Sequence, residues 1–223
     1  MSAKVQRLRI TYARGLPQRY VSHLDMIRFW ERALRRARLP VAYSEGFTPH
    51  PQIALGPPLG LGMTGRAELL DVFLSERVLP DAAAAQLREQ MPQGIEIVAL
   101  EEVPLEGPAL QALVRAADYR MYLRPDADLD AVFERIAFFL ASTTVPWEHQ
   151  REKEIRRYDL RPLVLTLLLD RDAETGPAVL ARLRAEEGAT ARPDQVARAL
   201  EIADDVTLIE RVGIVLATPA APR

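Results

Sequence analysis

The chain has 223 residues, 48% apolar and 27% charged, a balance that argues against disorder and suits one large domain or two small ones. It holds no cysteine and three histidines, His23, His50 and His149, which excludes a conventional iron–sulfur cluster, a cysteine nucleophile and disulfide support. The net charge of −2 hides an asymmetry: residues 1–40 carry ten Lys or Arg against two acids, and residues 66–106 carry three against nine.

Arg7-Leu8-Arg9-Ile10-Thr11-Tyr12 alternates with period two, the mark of a strand with Leu8, Ile10 and Tyr12 turned inward and Arg7, Arg9 and Thr11 outward. Gly15 and Pro17 break it. Ser22-His23-Leu24-Asp25 fits a capping box, and Ile27, Trp30, Leu34 and Ala37 follow at helical spacing as a core stripe. The helix is expected to end near Leu39-Pro40. Residues 41–65 read as a Pro/Gly-rich connection with short extended pieces at 41–44 and 52–55. So long a connection is functional or packed as an ordered loop. A strand at 68–74, a helix from Pro80 to Met91 and a strand at 95–103 complete a βαββαβ order, the ferredoxin-like split arrangement.

After Pro104, Gly107 and Pro108 the pattern recurs. Tyr119, Met121 and Leu123 alternate with Arg120, Tyr122 and Arg124. A helix follows with Leu129, Val132, Phe133, Ile136 and Leu140 as its buried stripe. A charged hairpin is expected at 145–161, strands at 162–170 and 178–185, a short helix from Pro193 and a last strand at 206–216. The expectation is an α+β protein of two tandem ferredoxin-like domains, residues 1–107 and 108–223, ending in a disordered tail from Thr218. No apolar run approaches the ~20 residues that cross a bilayer, and Met1-Ser2-Ala3-Lys4 opens no signal-peptide core, so a cytoplasmic location without membrane contact is expected.

Three groups of residues are chemically suggestive. Arg28, Arg32, Arg35 and Arg36 fall on one side of the first helix, with Arg7 or Arg9 available to project beside them. Guanidinium forks match phosphates, whereas the competing reading is a charged face balanced by the acidic 66–106 segment. His23, Asp25 and His50 are candidates for an acid–base site, although Ser22 and Asp25 are already explained as a cap. The same groups lack metal-ligand spacing, and no metal or other cofactor is assigned. Tyr43, Ser44, Gly46, Phe47 and His50 lie on the proline-bearing loop, where Tyr43 and Phe47 can stack on bases. Gly56 to Gly65 lacks the Lys-Ser or Lys-Thr ending of a phosphate-binding loop. An anion nest or a bend around a corner remains for it.

The run Arg19-Tyr20-Val21-Ser22-His23-Leu24-Asp25 resembles the opening of an uncharacterised bacterial family described as radical-SAM-associated. So do Arg32 to Ala37, Leu39 to Pro51, Gly56 to Gly62 and Glu68-Leu69-Leu70-Asp71. Relatives often carry Gln where this chain has Glu45 and Asn where it has Thr48, so neither position implies a fixed role. Members occur alone or fused behind a radical-SAM protein with a B12-binding-type domain. The resemblance therefore implies a partner that carries the cluster, in agreement with the missing cysteines, and it supplies no activity. The leading expectation is a non-catalytic accessory module that recognises or presents a substrate, RNA being the candidate, to a separate radical-SAM enzyme. The alternatives are an enzyme built on His23, Asp25 and His50, and a protein-interaction scaffold.

Overall fold

A computed structural model describes residues 4–151, 154–172 and 174–217. The expected tail from Thr218 lies outside these residues, as do Glu152 and Lys153 of the hairpin. The structure is mixed α/β and divides into two compact units. The first runs to Val114 and takes back Leu216 and Ala217, and the second spans Arg115–Val215.

The first unit contains β1 (Gln6–Arg14), α1 (His23–Arg36), β2 (Ile53–Leu55), β3 (Thr64–Leu74), α2 (Pro80–Arg88), β4 (Ile95–Val103) and the single turn α3 (Leu110–Leu113). Its strands lie in the order β2-β3-β1-β4, every neighbour antiparallel. Leu8, Ile10 and Tyr12 turn to one face as their alternation requires. They meet Leu70, Val72 and Leu74 of β3 and the buried stripe of α1, Met26, Trp30, Ala33 and Leu34. Trp30 is the largest member of this core and packs edge-on against Tyr12, with ring centroids 4.9 Å apart. Truncating so large a buried ring costs about 3–5 kcal/mol.

The other face of this sheet departs from expectation. Arg7 and Arg9 do not project into solvent: Arg7 is 4% exposed, and both guanidiniums close on the fully buried carboxylate of Asp71. The reason lies in the chain after β4. Arg7 Nη2 donates to Pro108 O at 3.1 Å, Leu110 is fully buried, and Gln111 Nε2 donates to Leu55 O, so the 104–113 segment covers a face that alternation alone assigns to water.

The second unit contains β5 (Val114–Leu123), α4 (Leu129–Ala141), β6 (Pro146–Arg151), β7 (Glu154–Asp159), β8 (Val164–Asp170), β9 (Ala178–Glu186), β10 (Ala189–Thr190), α5 (Pro193–Ala199) and β11 (Val206–Leu216). Strand β9 stands between β8 and β5, antiparallel to both, and β5 continues to β11. Tyr119, Met121 and Leu123 face a core with Val132, Ile136, Phe139, Leu167, Val179, Leu183, Val196 and Leu200. Phe133 is not part of it; it is 57% exposed, because Phe139 completes the stripe with Val132 and Ile136 on the other side of α4. The hairpin β6–β7 forms its own two-stranded ribbon. Its root is held by Asp159, whose Oδ1 accepts from Val145 N (2.8 Å) and Arg161 N (3.0 Å), and by Tyr158, whose hydroxyl donates to Gln195 Oε1 (2.6 Å).

Candidate functional site

All the residues singled out by the sequence lie in the first unit, around α1. The turn that leads into this helix is fixed from below by Arg14, itself buried. Its Nε donates to Gln18 O (3.0 Å) and its Nη2 to Arg19 O (3.2 Å) and Val21 O (2.5 Å). Ser22 then caps the helix, its Oγ accepting from Asp25 N at 3.2 Å. The reciprocal bond differs from an ideal capping box. Asp25 Oδ2 accepts from the Ser22 hydroxyl (2.7 Å), while Oδ1 accepts from Arg28 Nη1 (3.2 Å). The Ser22 hydroxyl above all holds the Asp25 carboxyl below its ordinary range, opposed by desolvation and helped by Arg28 and Arg32.

His23 and Asp25 are two positions apart on α1, a spacing that turns side chains toward different sides. Asp25 is exposed and His23 half-buried, in keeping with that divergence. The loop bearing His50 belongs to the other end of the helix. Pro40 O accepts from Ser75 N, Ala42 N donates to Phe73 O, and Tyr43 bridges to Pro51, so the loop leaves the sheet where β3 and α1 both finish. A helix of 14 residues spans about 21 Å, and the anchors of His23 and His50 sit toward its opposite ends. Within the loop, Ser44 N donates to His50 O and His50 N to Ser44 Oγ, both at 2.9 Å. These two bonds pin the neck and leave Phe47 fully exposed beyond it. Gly46 supplies the left-handed backbone there, with φ +116°. Among the described residues, no group of three His, Asp or Glu could hold a metal ion.

The four arginines of α1 share the face opposite Trp30, because 28, 32, 35 and 36 repeat at helical spacing. Arg28 is engaged by Asp25, and Arg36 Nη2 donates to Gln90 O (3.2 Å). Arg32 and Arg35 are exposed, and neither has a hydrogen bond or ion pair among the described residues. The helix ends in a left-handed Arg38, φ +55°, with Leu39 N reaching back to Leu34 O, so Arg35, Arg36 and Arg38 gather at its C-terminal end.

The Pro/Gly segment contributes on the opposite side. Gly56 N donates to Leu69 O and Gly62 N to Arg19 O (2.8 Å), so these two amides serve carbonyls of the fold and are not offered to an anion. Gly62, at φ +82°, brings the segment against the turn before α1, where a Cβ would lie 3.7 Å from the Tyr20 ring. Tyr20 is 70% exposed, with the Arg19 guanidinium 4.8 Å from its centroid. Sequence reading left this pair out of the candidate site. The available signal was an aromatic two residues before a helix cap, outside the core stripe.

Comparison with known proteins adds little chemistry. No curated protein matches the chain. Among solved structures, a chain of the Cbf5–Nop10–Gar1 complex is similar at 11% identity and a TM-score of 0.45, over 92% of this chain and 48% of that one. This chain thus spans about half the length of that relative. A family described as an uncharacterized protein conserved in bacteria (DUF2344) matches residues 7–193, and the chain belongs to that family.

Proposed function

We propose that this protein is a recognition module that binds RNA along the outer face of α1 and presents it to a separate radical-SAM enzyme. The observation that carries the reading is the pair Arg32 and Arg35, exposed cations with no hydrogen bond or ion pair among the described residues, in line with Arg28 and Arg36. Unpaired guanidiniums repeated along one helix face suit a chain of phosphates, to which each donates a fork of N–H groups. The loop from Tyr43 to Pro51, with Ser44 and His50 at its neck and Phe47 at its exposed end, shapes the contact at the C-terminal end of the helix. The strand order β2-β3-β1-β4 supports assigning the first unit to the ferredoxin-like class, and the order β8-β9-β5-β11 supports the same for the second. Domains of residues 1–107 and 108–223 are part of this reading. So are a cytoplasmic location, for which the lack of a membrane-crossing helix among the described residues is a partial support, and a partner that supplies the metal chemistry this cysteine-free chain lacks.

The test is the salt dependence of binding to a labelled single-stranded RNA. Each phosphate contact contributes about −0.7 to the slope of log K against log salt, so the four arginines predict a slope of about −2.8 between about 50 and 200 mM. The R32A/R35A double variant should lose about 1.4 of that slope. A flat response, or no binding by the wild type, sinks the reading.

A second reading, a protein-docking scaffold, rests on Phe47, an aromatic ring that the fold leaves in solvent. Capture of a radical-SAM protein that survives R32A/R35A and is lost in F47A would favour it.

A further inference from the structure

We propose that Tyr20 is a base-stacking platform at the N-terminal end of the arginine stripe, so that the RNA recognised here is single-stranded. The inference rests on the RNA reading above and adds to it the form of the ligand and a residue outside the helix.

Tyr20 is held in place and yet uncovered. Its main chain sits in a turn whose neighbouring carbonyls are engaged: Arg19 O accepts from both Arg14 Nη2 and Gly62 N, Val21 O accepts from Arg14 Nη2, and Gln18 O accepts from Val21 N (3.1 Å). The ring itself has Arg19 stacked at 4.8 Å and the backbone of Gly62 alongside, where a side chain larger than hydrogen would meet it. With the main chain around it fixed, the ring has only its side-chain rotation to lose on binding, which favours a ligand that stacks. Leu24, four residues on in the chain, and Leu61, next to Gly62, are also exposed.

Charge decides the occupant. Arg19, beside the ring, and Arg32 and Arg35, further along, are cations with no ion pair among the described residues. The one nearby acid of α1's first turn, Asp25, is already taken by Ser22 and Arg28. An aromatic face before a helix whose arginines 28, 32, 35 and 36 outnumber its acids, Asp25 and Glu31, suits a polyanion that carries flat apolar groups. Single-stranded nucleic acid has that composition, whereas a duplex keeps its base faces stacked inside.

The experiment compares anisotropy of a labelled RNA of about twelve nucleotides, single-stranded or annealed to its complement, on the wild type, Y20A, Y20F and R32A/R35A. The wild type should prefer the single strand. Y20A should weaken single-strand binding about 5- to 150-fold while leaving duplex binding and the salt slope unchanged. Y20F, which keeps the ring, should bind as the wild type, and equal thermal melts would show that the turn still folds. If Y20A binds the single strand normally while R32A/R35A does not, stacking falls and the RNA reading stands. If the wild type binds neither form, both fall. If Y20A retains RNA but loses a co-purified protein, the ring is a protein-docking residue and the inference is overturned.

Discussion

The arginines of the first forty residues meet two opposite fates. On β1, Arg7 and Arg9 are consumed by one carboxylate: Asp71 accepts from Arg7 at 3.0 and 2.5 Å and from Arg9 at 2.7 and 2.9 Å. On α1, Arg32 and Arg35 are exposed and make no hydrogen bond or ion pair among the described residues. The difference comes from the period of each element. Strand pairing sets Arg9 directly across from Asp71, with Arg7 two positions along on the same face, and a helix sets arginine beside arginine against two acids, Asp25 and Glu31. Bonding to Asp71 holds the Arg9 guanidinium more firmly protonated than usual, opposed by burial and helped by Asp71's charge and Glu101. Charge is therefore a property of the sequence, but its availability to a partner is a property of register.

The largest effect should come from breaking the buried side of this contrast. Asp71→Asn or Asp71→Ala leaves two guanidiniums close to the sheet without a counter-charge, and removing one partner from a buried ion group costs about 3–5 kcal/mol. Urea unfolding should report that loss. A cost below about 1 kcal/mol would mean that water already reaches these groups, as it does at ordinary surface pairs.

This contrast also marks what the sequence discloses. Alternation in 7–12 is enough to turn Leu8, Ile10 and Tyr12 into the core, and the Ser22 cap and the Trp30 and Leu34 stripe need only local spacing. Arg7 and Arg9 were misread as outward because their partner is more than sixty positions away, and because their cover, the 104–113 segment, belongs to no regular element long enough to show a period. His23, Asp25 and His50 are close in the sequence, but the first two stand two positions apart on α1 and the loop that carries the third is anchored beside the end of β3. Tyr20 escaped notice because exposure of an aromatic depends on which neighbours arrive, here Arg19 and Gly62.

A smaller effect is expected where α1 begins. Ser22→Ala removes the acceptor for Asp25 N and should cost about 1 kcal/mol of stability at neutral pH. The same change removes the hydroxyl that most depresses the Asp25 carboxyl, so Asp25 should titrate higher in the variant, measurable by carboxyl NMR. The sign follows from linkage. A carboxyl whose folded pKa is depressed adds stability above its unfolded value, near 3.9, and loses it as pH falls through the folded value. The gap between wild type and S22A should therefore narrow in acid, and a gap independent of pH would place the whole effect in the amide bond.

The smallest effect belongs to the exposed side of the contrast. Arg32→Ala and Arg35→Ala remove no bond found among the described residues, relieve repulsion between arginines one turn apart, and introduce a better helix former. Each should change stability by no more than about 0.5 kcal/mol in either direction. A loss above about 1 kcal/mol in either variant would reveal an intramolecular partner for that guanidinium. Near-silence in unfolding together with a steep loss of RNA affinity would instead separate the cations that hold the fold together from those left free to bind.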